Sequence, residues 1–196
     1  MAVFYGLYVA DERLAAALDL LRFLAEPQFV RRAHITVRGP YNNPQSDILR
    51  MVANKTYQIL FDGVDSFIEV GKKQNTVFLK CEVPSIEQVW HKPDFEGKIR
   101  PHLTLYDGGD RAHAIALLRC CSRYRLKFTA RSTEIIQIKA KSKAAEIEEF
   151  KIHQDIYDEI LGRRIDYLTI QGQQWRQRLP FFEEVARFIE GNYVTK

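Results

Sequence analysis

The sequence predicts an α+β fold made of two copies of one strand-and-helix unit, related by a pseudo-twofold axis, with a helical extension after them. Three observations predict it. A four-residue pattern occurs twice, as His34-Ile35-Thr36-Val37 and as His102-Leu103-Thr104-Leu105. The order of elements around each copy is the same. Beyond about residue 140 the pattern becomes amphipathic helix, with no counterpart in either unit.

Residues 3–9 (VFYGLYV) are aromatic and β-branched and read as a strand. Asp11 can cap the helix that follows, where Leu14, Leu18 and Leu21 fall on one stripe. Pro27 lies beyond it. A strand over 32–38 carries the first motif and is stopped by Gly39-Pro40. A short helix over 44–54 and two strands, 56–62 and 64–70, complete the first unit, about residues 1–70. The second unit, about 75–140, opens with a strand over 75–83 and a short helical stretch from Pro84 toward His91. A loop over 92–98 leads to a strand over 100–106 that carries the second motif. Gly108-Gly109 ends it, and Asp110 can cap a helix reaching about Cys121. Strands over 124–130 and 133–140 follow. Two such units would set equivalent strands face to face across a cleft. Residues 1–140 are thus expected to form one domain. Residues 141–196 add helices over 146–161 and 180–190 that pack outside it, or else form a homodimer interface or a lid.

Composition bounds the functional classes. The 196 residues are 46% hydrophobic and 28% charged, a globular balance. The net charge of +4 is a mild basic excess, compatible with an anionic ligand and short of a polybasic tail. The three cysteines, Cys81, Cys120 and Cys121, make no C-x-x-C pair and read as reduced thiols. Residues 1–10 look like a first strand rather than a leader, and no apolar run approaches a membrane span. A cytoplasmic location is expected.

The motifs carry the chemistry. Side chains alternate along a strand, so His34 and Thr36 share one face, and His102 and Thr104 do likewise. The apolar residues between them can bury on the other side. Two imidazoles with an ordinary pKa of ~6.5 can take a proton from water and give one to a leaving oxygen. Two threonine hydroxyls can donate to phosphate oxygens as charge grows there. Plain alternation adds Arg38 and Tyr106 to the same faces: a guanidinium for phosphate and a ring for base stacking. Lys98 and Arg100 approach the second motif, and Arg100 shares the His102 face. A lone His-x-Thr is weak, but two among five histidines arise by accident on the order of once in a hundred chains. His91, His113 and His153 have no metal-ligand spacing and read as surface or structural; Tyr5, Tyr8 and Tyr41 are candidates for base stacking, with core packing the favoured reading of each. No metal and no cofactor is expected.

With HITV at His34 and HLTL at His102, the chain resembles the two-histidine (2H) phosphoesterases, including the RNA 2′,3′-cyclic phosphodiesterases also called 2′-5′ RNA ligases. The resemblance covers about residues 1–140. It implies a bilobal fold with antiparallel sheets flanking a central cleft. It also implies metal-independent hydrolysis of cyclic phosphates or 2′-linked phosphodiesters on nucleotides or RNA ends. One histidine would be base and the other acid, with Thr36 and Thr104 holding the phosphate. The extension departs from the minimal layout. A small cyclic nucleotide such as ADP-ribose 1″,2″-cyclic phosphate, a signalling oligonucleotide, or binding of an RNA end without turnover are the alternatives.

Overall fold

The computed structural model describes residues 3–45, 47–48, 55–71, 73–89, 100–132, 135–139 and 141–194. Seven strands are described: β1 (Val3–Leu7), β2 (Ile35–Tyr41), β3 (Tyr57–Phe67), β4 (Asn75–Glu82), β5 (His102–Gly108), β6 (Lys127–Ser132) and β7 (Ile135–Lys139). They form one antiparallel sheet in the order β6-β3-β4-β5-β2-β1-β7. The expected pair of sheets is thus a single one, with the two motif strands side by side at its centre. Only three peptide links separate Ser132 at one sheet edge from Ile135 at the other. They reach ~11 Å at most. Seven strands laid flat would span ~29 Å. The sheet therefore curls until its edges approach at that end.

The two strands expected around Gly63 are one 11-residue strand, β3. Gly63 has φ 82 and sits at a register shift between Phe61 and Val64, so the chain bends there without leaving the sheet. Gly39-Pro40 likewise does not end β2. Gly39 takes φ 104, and a Cβ there would come within 2.7 Å of the Val3 carbonyl oxygen, so β2 runs past it to Tyr41.

Helix α1 (Glu12–Ala25) starts where its cap is expected, with the Asp11 carboxylate accepting from Leu14 N–H at 2.7 Å. Every residue from Leu14 to Ala25 is buried. Helix α2 (Arg111–Cys121) is capped in the same way, by Asp110 on His113 N–H at 3.0 Å. The stretch after Pro84 holds one 3-10 turn, Ile86–Gln88. The helix expected over 44–54 falls largely outside the described residues, as do His91 and Lys98.

The extension is four helices, not two: α3 (Lys143–Lys151), α4 (Gln154–Leu161), α5 (Tyr167–Gly172) and α6 (Trp175–Tyr193). The helix expected over 146–161 breaks at Ile152–His153, and α6 begins before Pro180 because Gln174 and Gln177 form a reciprocal cap. Helix α1 contacts β5 on one side and α4 and α6 on the other, which is why no face of it is exposed. Phe150, Tyr157, Phe182, Val185 and Ile189 join the same core as Leu18, Phe23 and Leu105. Phe23 packs on Phe150 at 4.8 Å and on Tyr167 at 5.1 Å. Among the described residues, no helix is long and apolar enough to cross a membrane.

Candidate active site

The alternation read from the motifs holds through all four of their residues. Ile35, Val37, Leu103 and Leu105 are buried, while His34, Thr36, His102 and Thr104 are half-buried. β2 and β5 pair antiparallel with Ile35 opposite Leu103. One step either way along that register sets His34 opposite Thr104 and Thr36 opposite His102. Directly opposite residues have Cβ atoms about 4.5–5.5 Å apart. The pairing therefore gathers both imidazoles and both hydroxyls on one face, across adjacent strands.

Each imidazole is held by the same device. His34 Nδ1 lies 2.8 Å from the Arg32 carbonyl, and His102 Nδ1 lies 2.8 Å from the Arg100 carbonyl. A carbonyl oxygen only accepts, so both Nδ1 atoms carry their hydrogen. Each Nε2 is left for exchange with a ligand.

The alternation breaks just past each motif. In β5 the register against β4 shifts between Val77 opposite Tyr106 and Phe78 opposite Thr104, so Leu105 is an extra residue. In β2 the register against β1 shifts between Tyr5 opposite Arg38 and Gly6 opposite Thr36, so Val37 is extra in the same way. A bulge moves the next side chain to the other face. Tyr106 is consequently buried at 2% exposure, with its hydroxyl on Asp110 N–H at 3.0 Å and its ring 4.7 Å from His113. It does not offer a stacking surface. Arg38 lies opposite the fully buried Tyr5, and it donates to Tyr41 Oη at 2.7 Å and to the Val89 carbonyl at 3.3 Å. It is turned away from the His34 and Thr36 face. Arg100 keeps its expected place: it is exposed and has no ion-pair partner among the described residues.

Four other side chains reach the site instead. Tyr8, one residue past Leu7 opposite Ile35, meets His34 edge-on at 6.0 Å. Arg32 lays its guanidinium over the Tyr8 ring at 4.7 Å. Phe78 lies 4.7 Å from His102, and Phe67 lies 5.8 Å from it in a T-shaped contact. Phe67 is 39% exposed. With Arg100 and Lys80, these phenylalanines line a hollow of about 400 Å³. Lys80 is held by Asp62 at 2.7 Å, as is Lys127. These two lysines lower the Asp62 carboxyl to about 2. Of these additions, Tyr8 is one of the stacking candidates named from the sequence, and Arg32 left a trace there, since Arg32 and Arg100 both stand two residues before a motif histidine. On the sheet, Gly6 faces Thr36; a Cβ there would come within 2.8 Å of the Ile35 carbonyl oxygen.

Burial, then the charge of Arg22 and last that of Arg31, lower His34 to about 4, while its bond to the Arg32 carbonyl pulls the other way. The remaining described histidines are structural. His113 Nε2 lies 2.9 Å from the Ala25 carbonyl, and its ring packs against Trp175. His153 lies 3.7 Å from Glu12. Among the described residues, no three His, Cys, Asp or Glu side chains converge as metal ligands would. No family model matches the chain, and no curated protein matches it.

Proposed function

We propose that the chain is a phosphodiesterase of the two-histidine type, hydrolysing 2′,3′-cyclic phosphate RNA ends or 2′-5′-linked oligonucleotides without a metal. The observation that carries this reading is the matched pair of Nδ1-to-carbonyl bonds at 2.8 Å, which fixes both imidazoles with Nε2 available beside two threonines. Binding alone does not need two oriented proton-transfer groups.

In the proposed reaction, neutral His34 takes a proton from water at Nε2. The water oxygen bonds to phosphorus, and the opposite P–O bond breaks. Protonated His102 gives its Nε2 proton to the departing ribose oxygen. The two histidines then exchange protons with solvent to reset. Thr36 and Thr104 donate to the non-bridging oxygens. His34 takes the base role because its surroundings favour the neutral imidazole.

The sheet order supports a duplicated origin for this arrangement. About the β2–β5 pair, β1 and β4 are equivalent neighbours. The second part of β3 and β7 each pair with the first strand of the other unit. The curl of the sheet supports a cleft above the motif face.

A second reading keeps the chemistry and takes a small nucleotide as substrate. The exposed Phe67 and Arg100, which has no ion-pair partner among the described residues, favour it, since they suit one base and one phosphate better than a long backbone. Incubation in EDTA with 2′,3′-cyclic mononucleotides, cyclic-phosphate oligomers and 2′-5′ oligomers tests both, with products identified by mass spectrometry. Turnover unchanged in both His34→Ala and His102→Ala would end the catalytic reading; tight binding without product would leave a binding module.

A further inference from the structure

The carbonyl that holds His34 is itself held. Arg22, on α1, donates from Nη1 to the Arg32 carbonyl at 3.3 Å and to the Arg31 carbonyl at 3.3 Å. The Arg32 oxygen thus accepts from the Arg22 guanidinium and from His34 Nδ1 together. Arg22 is only 8% exposed, so this bond is made away from water. One helical turn earlier Asp19 is 3% exposed, and its carboxylate accepts from Ala33 N–H at 2.5 Å. Asp19 and Arg22 therefore grip the backbone on both sides of Arg32. From the extension, Glu146 accepts from Arg31 Nε at 3.0 Å and from its Nη2 at 2.8 Å, closing the cluster. The Arg100 carbonyl that holds His102 has no such buried guanidinium behind it among the described residues.

We propose that Arg22 is a positioning residue for His34: it fixes the Arg32 carbonyl, and through it the tautomer and direction of the imidazole. The proposal rests on the phosphodiesterase reading for its kinetic consequence, not for its geometry. A guanidinium on that carbonyl has two effects. It prevents the peptide from turning, which would release Nδ1–H. Its positive charge also disfavours the imidazolium. The charged and titratable groups around His34 are Tyr8 on β1, Asp19 and Arg22 on α1, and Arg31 and Arg32 before β2, with Glu146 reaching it through Arg31.

The test is nitrogen NMR of the histidine rings in the full chain, with His102 as internal control, alongside kcat and KM on the best substrate. In the wild type His34 should show the Nδ1–H tautomer and titrate near 4. In Arg22→Met the His34 titration should move up toward 6.5, the Nε2–H tautomer should grow in, and the His102 signals should stay. kcat should fall ~10- to 100-fold with KM within about twofold. Unchanged His34 signals and unchanged kcat overturn the proposal. If Arg22→Met loses the His102 signals too, the fold has failed, and Arg22→Lys decides. That variant keeps the cation but loses the fork. An intermediate His34 shift and kcat support positioning, and wild-type behaviour overturns it. A shifted His34 in a chain that turns over nothing keeps the seat and ends the phosphodiesterase reading.

Discussion

His34 and His102 stand on adjacent strands, each tied at 2.8 Å to the carbonyl two residues back, yet their surroundings share little. His34 sits against Tyr8, beside the buried Asp19 and Arg22 and the half-buried Arg31 and Arg32. His102 sits against Phe78 and Phe67, at the edge of an open hollow. The shared part comes from the strand pair itself: antiparallel pairing treats both motifs alike, and a bulge follows each at its fourth residue. The unshared part comes from what packs beside each strand. The strand pair presents the two imidazoles alike, and packing makes their surroundings unequal, as the proposed division into one base and one acid requires.

The largest expected effect tests the equality. His34→Ala and His102→Ala should each lower kcat by about 10²- to 10⁴-fold, measured on one substrate under one condition. A large loss from only one would mean that the second histidine is not catalytic. Thr36→Val and Thr104→Val should come next, each losing about 10²-fold in kcat with the fold unchanged by circular dichroism.

The pH profile tests the inequality. With its folded value lowered from 6.5 to about 4, His34 stays neutral through the mildly acid range. The acid limb of kcat/KM should therefore fall near 4 rather than near 6.5, and a limb near 6.5 would assign the base to another group. The same shift predicts a stability effect. The unfolded chain binds the His34 proton first, so stability should decline as pH falls from 6.5 toward about 4, read by denaturant melts.

The smallest effect separates Tyr106, just past the second bulge, from the chemistry. Tyr106→Phe removes the hydroxyl that bonds Asp110 N–H and should cost about 1 kcal/mol of stability with kcat unchanged. A drop in kcat there would bring Tyr106 back to the substrate.

The sequence carried the motif strands, α1 and both aspartate caps in plain view, because each depends on periodicity and local hydrogen bonding that the neighbouring residues themselves provide. Its reading of Arg38 and Tyr106 failed for a different reason. Strict alternation assumes an unbroken ladder, and the bulges at Val37 and Leu105 exist only relative to the register of β1 and β4. Tyr8 read as core because an aromatic strand gives no sign of which face is covered. Phe67 and Phe78 reach His102 from β3 and β4, one of them 35 residues upstream in the other unit, and no local pattern joins them to it. The break at Ile152 and the early start of α6 were likewise hidden, since buried contacts and a reciprocal cap moved the ends.

By itself, then, the sequence determined that each motif histidine shares a strand face with its threonine, because a two-residue strand period puts them on one side whatever packs around them. Only the tertiary structure decided which cations and rings attend them, and which histidine is desolvated. Those depend on strand register and on the burial of α1 between the sheet and the C-terminal helices, and both are set by contacts between residues far apart in the chain.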